Sequence, residues 1–117
     1  MSSNIRKLVL CWLFFYAVFS VQAYIRPYNE RNVFQSDSSY CYRIPSMVRT
    51  NNGTLVAVAE GRETDCGDYG DVDIVVRRST DNGNTWGNTI LIDSFGSSRL
   101  HNPCPVVDQR TNRVYVF

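Results

Sequence analysis

The sequence beyond residue 40 predicts an all-β fold built from short antiparallel strands. Strand-forming residues recur in short runs, and turn signals separate these runs at intervals of about ten residues. Apolar residues do not repeat with a helical period after the first 23 residues. This pattern is typical of sandwiches, barrels and propellers, and four strands followed by two more do not readily close a barrel.

The first 23 residues have the pattern of a secretory signal peptide. Arg6 and Lys7 precede an apolar run from Leu8 to Phe19, and Val21-Gln22-Ala23 places compact residues at the −3 and −1 positions of a cleavage site. A retained membrane anchor is the alternative, but the run is shorter than the ~20 residues that a bilayer core requires. We predict three segments: a cleaved leader (1–23), an N-terminal extension (24–40) and the folded part (41–117).

The charge balance after the leader excludes some classes of partner. The remaining chain carries ten basic and eleven acidic side chains, and every basic one is an arginine. A net charge near zero does not favour nucleic acid or an anionic membrane surface. We expect contact with a membrane only through a substrate or through an uncleaved leader.

Six strands are expected in order along the chain. Their predicted ranges are 42–50, 54–60, 72–79, 89–93, 105–108 and 113–117. Asn51-Asn52-Gly53 predicts a tight hairpin between the first two, because both central residues tolerate positive φ. Asn52 also begins the sequon Asn52-Gly53-Thr54, which predicts a glycosylation site. A loop rich in Gly and Asp, Gly61 to Asp71, separates the second and third strands.

The last predicted strand reaches Phe117 without a turn residue, so we expect the chain to be the N-terminal piece of a longer protein. Three cysteines follow the leader: Cys41, Cys66 and Cys104. A secreted chain permits disulfides. An odd count leaves either one pair with a free thiol or a partner outside the chain.

The turn between the third and fourth strands has a distinctive order of side chains. Ser79 to Trp86 fits S-x-D-x-G-x-T-W at every specified position, which involves Ser79, Asp81, Gly83, Thr85 and Trp86. Asp81 is suited to accept backbone N–H bonds inside the turn, and Gly83 supplies the positive φ. We interpret the turn as architectural. A calcium loop is the alternative, but the alternating ligands of an EF-hand are missing.

Four motifs together resemble the sialidase family. Ser79 to Trp86 resembles its Asp box, and Tyr42-Arg43-Ile44-Pro45 resembles its F/Y-R-I-P motif. The loop that begins at Gly61 resembles the family's catalytic-acid loop, and 101–108 resembles the stretch that follows. The resemblance covers about 40–117 in the family's order and spacing. It implies a six-bladed β-propeller, of which this chain supplies the first blade and the start of the second.

The resemblance also implies a substrate and residues that bind it. Sialic acid carries a C1 carboxylate, which family members clamp with three arginines. Arg43 matches the first of these, and the guanidinium fork explains why arginine is used there. Pro45 removes an N–H and stiffens the strand end that aims Arg43. Arg62 matches a pocket arginine near the sugar 4-hydroxyl, and Asn102 matches a position in the same region where many members have Asp.

Asp68 matches the family's acid/base residue and lies six residues after Arg62. It would protonate the leaving glycosidic oxygen and then activate water. A free Asp titrates near 3.9, so its environment must hold the proton longer. Asp65 is the alternative acid, whereas Asp71 and Asp73 are interpreted as structural. For the whole cluster, a solvated loop or a metal site is the alternative.

Two further expectations depend on the resemblance. Cys66 and Cys104 each lie two residues from a proposed pocket residue, so we predict that they face each other and pair. Sialidases use a tyrosine activated by a glutamate as the nucleophile. The family has that pair and two more arginines downstream of these motifs, so we expect this chain to be inactive alone. No cofactor or metal is implied.

The predicted function is an exo-α-sialidase that acts, with retention, on terminal α-linked sialic acid of glycoproteins, oligosaccharides and gangliosides. The expected location is the secretory pathway, with an extracellular or lysosomal destination. A trans-sialidase shares every motif present. A non-catalytic Asp-box propeller, acting as a receptor or carbohydrate-binding module, needs the turn but not Arg43, Arg62 and Asp68 together.

Overall fold

The computed structural model describes residues 30–63 and 65–117, so the predicted leader lies outside the described residues. Within these ranges the chain contains strands and no helix, which confirms the all-β prediction. The strands are β1 (Cys41–Arg49), β2 (Leu55–Arg62), β3 (Val72–Ser79), β4 (Ile90–Asp93), β5 (Pro105–Asp108) and β6 (Arg113–Val116). A helix long and apolar enough to cross a membrane is absent from the described part of the chain.

Strands β1 to β4 form one antiparallel sheet in sequential order, and β5 and β6 form a second sheet. The β2–β3 ladder runs without a register shift from Leu55, opposite Ser79, to Arg62, opposite Val72. Strand β4 lies at the edge, and all of its residues are exposed. A four-stranded antiparallel meander is the arrangement of one propeller blade.

The hydrophobic core lies between the first sheet and the β5–β6 hairpin. Its members are the buried Val56, Val58 and Val76, with the partly buried Val48, Val114 and Val116 packed against them. The β1–β2 turn also contacts the β5–β6 turn, where the backbone N–H of Asn51 donates to Asn112 Oδ1 at 2.7 Å. The Asn51 side chain donates to the Gln109 carbonyl at 2.6 Å. These contacts fix the second sheet against the first.

A bulge interrupts β1, where the sequence predicted a continuous strand. Arg43 pairs with Glu60 on one side of Ile44 and Pro45, and the ladder resumes at Ser46 with its register shifted by one residue. Ile44 has a φ of 49°, which is rare for a β-branched side chain, and Pro45 has no N–H for the ladder. Because side chains alternate across a strand, this shift moves Arg43 onto the face that carries Glu60.

Gly61, near the end of β2, is required by the packing of the segment that enters β1. A Cβ at this position would lie 3.0 Å from Tyr40 Cδ1 and 3.2 Å from Val75 Cγ1. Both distances are tighter than ordinary van der Waals contact. The Tyr40 hydroxyl lies 3.4 Å from carboxylate oxygens of Glu63 and Asp73, so the ring spans the strand end. The glycine therefore permits the close approach of Tyr40 at the mouth of the Gly- and Asp-rich loop.

The Ser79–Trp86 turn is held by hydrogen bonds centred on Asp81. Asp81 Oδ1 accepts from Ser79 Oγ at 2.7 Å and from the Thr85 N–H at 2.9 Å, and Oδ2 accepts from Thr85 Oγ1 at 2.6 Å. The Gly83 N–H donates to Ser79 Oγ at 2.8 Å, and Gly83 has a φ of 88°. The hydroxyl and N–H of Thr85, with Ser79, lower the pKa of Asp81 to about 2. All of these hydrogen bonds join residues of the turn to one another, so the turn is held by its own side chains and backbone.

We expect Asp81→Ala to lower the Tm by several degrees at neutral pH, because three hydrogen bonds to a carboxylate are lost. The pKa of Asp81 is about 2 in the folded chain and near 3.9 in an unfolded chain. Its contribution to stability is therefore full above about pH 4 and is lost as the pH falls through about 2. Thermal melts of both proteins across this range test the prediction, with Asp81→Asn as the control that retains one acceptor. A Tm difference that stays constant down to pH 2 would contradict it.

Candidate acid and anion-binding site

Three of the residues predicted from the sequence lie together where β1, β2 and the Gly- and Asp-rich loop meet. Asp68 Oδ1 lies 3.1 Å from Arg43 Nη1 and 2.8 Å from Arg62 Nη1. The same two nitrogens donate to the Cys66 carbonyl at 2.9 and 3.1 Å, and Arg62 Nη1 also contacts the Gly67 carbonyl. One carboxylate and two guanidinium groups thus form a single cluster.

The alternation of β2 explains how the core leads into this cluster. Val56 and Val58 lie on the core face of the strand. Because side chains alternate, the residues two and four positions after Val58 lie on the same face. These positions are Glu60 and Arg62, which are 1% and 3% exposed. The apolar stripe therefore ends in a buried ion pair at the strand terminus. Arg43 joins them only because the bulge in β1 places it opposite Glu60.

Glu60 lies at the centre of the cluster, and the sequence interpretation did not identify it as a site residue. Its Oε2 accepts from Arg62 Nη2 at 2.5 Å and from Nε at 3.0 Å, which is a two-point contact. Burial alone would raise the pKa of Glu60. Three hydrogen bonds have the opposite effect on this pKa; they come from the backbone N–H of Asn102, the Arg62 side chain and His101. Their combined effect exceeds that of burial, so the pKa of Glu60 is lowered. Glu60 is therefore a buried, ionised anchor for Arg62.

The loop between β4 and β5 reaches the site through its backbone and one imidazole. The Asn102 N–H donates to Glu60 Oε1 at 2.9 Å, and His101 Nδ1 lies 3.2 Å from the same oxygen. Asn102 has a φ of 57°, a left-handed conformation that Asn tolerates better than most residues. Asn102 was predicted to contact the region of the sugar 4-hydroxyl, and the contact that it makes within the site is the one from its backbone N–H to Glu60. His101 was not predicted as a site residue.

Asp68 is ionised more readily than a free aspartate in this arrangement. The hydrogen bond from Arg62 has the largest effect, and the charges of Arg43 and Arg62 add to it, so that the pKa of Asp68 is lowered. A general acid needs the opposite shift at the moment of reaction. The Asp68 side chain is 71% exposed, and Arg43 is 42% exposed, so both are open to a ligand from solvent. An anion that took Arg43 from Asp68 would raise the pKa of Asp68.

The other carboxylates of the loop have separate surroundings. Asp65 Oδ1 accepts from the Gly67 N–H at 2.6 Å, so Asp65 shapes the turn that precedes Asp68. Asp73 is buried and accepts from Tyr40, and one oxygen of Asp73 and one of Asp71 are buried without a hydrogen-bond partner in the described ranges. Within residues 30–63 and 65–117, three or more His, Cys, Asp or Glu side chains do not converge as a metal site would require.

The predicted Cys66–Cys104 disulfide is wrong. Cys66 is bonded to Cys41, with the two Cα atoms 5.3 Å apart, and Cys104 is a free, exposed thiol. Cys41 pairs with Arg62 at the end of the β1–β2 ladder, which brings it beside the start of the loop. Cys104 is instead tied to Phe117 by two backbone hydrogen bonds. Equal spacing from proposed pocket residues therefore did not indicate which cysteines are close in space.

The cluster is suited to binding an anion beside a carboxylate, Asp68, that can take up a proton when the anion binds. Arg43 uses Nη1 for its hydrogen bonds within the described residues, so the rest of its guanidinium fork is open to an incoming carboxylate. Arg62 is fixed by Glu60 and does not have this freedom. A ligand carboxylate on Arg43 would therefore sit next to Asp68, which is close enough to exchange a proton with an adjacent group.

Comparison with known families identifies the architecture. The profile of the BNR repeat-like domain matches residues 44–117, which is more than half of the chain. The chain belongs to the BNR repeat-like domain family. The matched range contains β2 to β6, the Asp-centred turn and the loop that carries Asp68, and it begins immediately after Arg43. This BNR repeat-like domain therefore includes nearly all of the candidate site.

The chain is also similar to sialidases over about two thirds of its length. An exo-alpha-sialidase of Arthroderma benhamiae is 39% identical over 84 residues, which is 67% of this chain and 20% of that protein. An exo-alpha-sialidase of Aspergillus fumigatus is 34% identical, again over 67% of this chain and 20% of the relative. A sialidase of Bacteroides fragilis is 37% identical over 68% of this chain and 16% of the relative. The chain thus spans at most a fifth of the length of these relatives.

Proposed function

We propose that this chain supplies the acid and one carboxylate-binding arginine of an exo-α-sialidase. The observation that carries the proposal is the shared contact of Asp68 Oδ1 with Arg43 and Arg62, at 3.1 and 2.8 Å. In the proposed reaction Arg43 binds the C1 carboxylate of sialic acid. Asp68 protonates the leaving glycosidic oxygen and then activates water, while Arg62, fixed by Glu60, lines the sugar pocket.

The substrate carboxylate has a second role in this proposal. Without substrate, Arg43 and Arg62 favour the ionised form of Asp68. A carboxylate bound to Arg43 offsets one of these positive charges and adds a negative charge close by, and both effects favour the protonated form. Closure of the pocket by the sugar also removes water from an otherwise exposed carboxyl group. The acid would thus gain its proton as the substrate binds.

The nucleophile and the other carboxylate-binding arginines are proposed to come from residues outside this chain. The coverage of 20% or less of the sialidase relatives is consistent with this division. The proposed substrates are terminal α-linked sialic acids of glycoproteins, oligosaccharides and gangliosides. The proposed whole is a six-bladed propeller, to which residues 41–117 contribute one four-stranded blade and the first hairpin of the next.

A secretory route is part of the proposal, with a cleaved leader at 1–23, an extension at 24–40 and an extracellular or lysosomal destination. The Cys41–Cys66 disulfide supports this route, because such bonds persist mainly in oxidising compartments. Asn52 is exposed at the tip of the β1–β2 hairpin, which leaves its sequon accessible for glycosylation.

A graft tests the proposed function in a complete enzyme. Residues 41–117 would replace the aligned segment of the Arthroderma benhamiae exo-alpha-sialidase, and the graft is expected to hydrolyse 3′-sialyllactose. Arg43→Lys in the graft should lower kcat/KM by about 10- to 100-fold, because lysine cannot form the two-point contact with a carboxylate. Arg49→Lys, an exposed change on the same strand, is the matched control.

Three results would contradict the proposed function. A folded graft that binds 3′-sialyllactose without cleaving it would indicate a binding module. A graft that transfers sialic acid to added isotope-labelled lactose in preference to water would indicate a trans-sialidase. Equal kcat/KM values for Arg43→Lys and Arg49→Lys would remove Arg43 from the carboxylate site.

A further inference from the structure

A covalent bond joins the two segments that carry Arg43 and Asp68. Cys41 begins β1 two residues before Arg43, and Cys66 lies two residues before Asp68. The disulfide therefore joins the two segments at points that are each two residues from the contact of Asp68 with Arg43. Cys41 and Arg43 are two residues apart in the part of β1 that precedes the bulge, so Cys41 also lies on the face of β1 that carries Arg43.

The backbone next to the disulfide is bound by the same two guanidinium groups as the carboxylate. The Cys66 carbonyl accepts from Arg43 Nη1 at 2.9 Å and from Arg62 Nη1 at 3.1 Å. Asp68 Oδ1 accepts from these two nitrogens as well. A shift of Cys66 would therefore disturb the hydrogen bonds that hold the Cys66 carbonyl and, through two intervening peptide bonds, the position of Asp68.

Apart from these hydrogen bonds, the loop has few other contacts that hold its tip, one of them the Arg99 guanidinium over the Tyr69 ring at 5.4 Å. Residues 65–69 are exposed, and a backbone hydrogen bond of 3.2 Å from the Glu63 N–H to the Asp71 carbonyl closes the base of the loop. Asp65 makes a local bond to the Gly67 N–H, which shapes the tip without tying it to the sheet. The disulfide is thus the one covalent cross-link, apart from the backbone itself, between the exposed tip and the sheet within the described residues.

We propose that the Cys41–Cys66 disulfide is a positioning element that holds the Asp68 carboxylate against Arg43 and Arg62. For catalysis, the inference rests on the proposed function: the disulfide aligns the acid with the leaving oxygen and touches no reacting atom. The geometric part does not depend on any activity. The two parts can therefore be tested separately.

The geometric part is tested by a carbon-detected NMR titration of the Asp68 carboxyl group in the 117-residue chain. In the Cys41→Ser/Cys66→Ser double variant, the pKa of Asp68 should rise towards the ordinary value of about 3.9, because the contacts with both arginines loosen. The Cys104→Ser variant is the matched control and should titrate like the unsubstituted chain. An unchanged Asp68 pKa in a double variant whose β2 and β3 amide signals are retained would overturn the proposal.

A second variant keeps the test decisive if the double variant does not fold. Two glycines inserted after Glu63 lengthen the connection from β2 to the loop and leave the disulfide in place. If the disulfide positions Asp68, the Asp68 pKa should stay below its ordinary value in this variant. A rise to the ordinary value would show that the chain connection, and not the disulfide, holds the carboxylate, and would overturn the proposal.

The catalytic part is tested in the Arthroderma graft with two leaving groups. The double variant should lose about 100-fold in kcat on 3′-sialyllactose, whose sugar leaving group needs a proton. It should lose much less on 4-methylumbelliferyl sialoside, whose phenol leaves with little help from an acid. Equal losses on both substrates would indicate a merely structural disulfide and overturn the proposal. An unsubstituted graft inactive on both would instead contradict the proposed function, and the NMR titration would still decide the positioning of Asp68.

Discussion

Asp68→Asn in the grafted enzyme is expected to lower kcat for 3′-sialyllactose by about 10²- to 10⁴-fold, which is the usual contribution of a general acid. Asparagine keeps the shape of the side chain and an acceptor for Arg43 and Arg62, but it cannot deliver a proton to the leaving oxygen. Steady-state kinetics on 3′-sialyllactose measure the effect, and KM should change far less than kcat.

Two controls give this prediction its specificity. Activity of Asp68→Asn on 4-methylumbelliferyl sialoside should fall much less, because a phenolate needs little protonation to leave. Asp65→Asn should affect 3′-sialyllactose hydrolysis only slightly, since Asp65 contacts the Gly67 N–H and not the arginines. A larger loss for Asp65→Asn than for Asp68→Asn would move the acid to Asp65.

Glu60→Ala in the 117-residue chain is expected to lower the free energy of unfolding by about 3–5 kcal/mol, the range observed when one partner of a buried ion pair is removed. Arg62 is 3% exposed and would lose its two-point contact with Glu60. The Asn102 N–H would lose its acceptor in the same substitution. Urea unfolding followed by circular dichroism gives the free energy.

Matched substitutions separate the buried ion pair from acidity in general. Glu60→Gln retains an acceptor for the Asn102 N–H but removes the charge, so we expect a loss smaller than that of Glu60→Ala. Glu63→Ala changes an exposed carboxylate three residues further along and should stay within about 0.5 kcal/mol. If Glu60→Ala were no more destabilising than Glu63→Ala, the buried pair would not be an anchor of the site.

The strands were predictable from sequence because they depend on local patterns. Turn residues mark each end of β1 to β3, and the Asn51-Asn52-Gly53 hairpin fixes which strands are neighbours. The Asp81-centred turn was predictable for the same reason, since its hydrogen bonds span residues 79–85 only. Short-range chemistry of this kind is contained in the order of the residues.

The bulge was not predictable from these patterns, and the site depends on it. Pro45 is compatible with an edge strand as well as with a bulge, and nothing in the alternation indicates that Ile44 takes a φ of 49°. The consequence is long-range, because a register shift of one residue decides which face Arg43 occupies. The motif resemblance named Arg43 and Asp68 as site residues, but the register shift that brings Arg43 beside Asp68 was visible only in the structure.

Glu60 and the disulfide were missed for a related reason. A glutamate at the end of an apolar strand is typical of a residue that points to solvent, and only the pairing of β2 with both neighbours buries it. The prediction of the disulfide used distance along the chain from proposed pocket residues, which contains no information about the β1–β2 ladder. His101 was missed for the same reason, because its contact with Glu60 joins residues that are 41 positions apart in the sequence.

The most direct test of the central claim compares the pH dependence of kcat and of kcat/KM for the graft acting on 3′-sialyllactose. The profile of kcat/KM reports the free enzyme, where Arg62 and Arg43 lower the pKa of Asp68, and the profile of kcat reports the substrate complex. We predict that the alkaline loss of activity, which marks deprotonation of the acid, lies at higher pH for kcat than for kcat/KM. This loss should disappear from the residual activity of Asp68→Asn. An alkaline limb at the same pH in both profiles, or one that persists in Asp68→Asn, would contradict the role of Asp68 as an acid protonated on substrate binding.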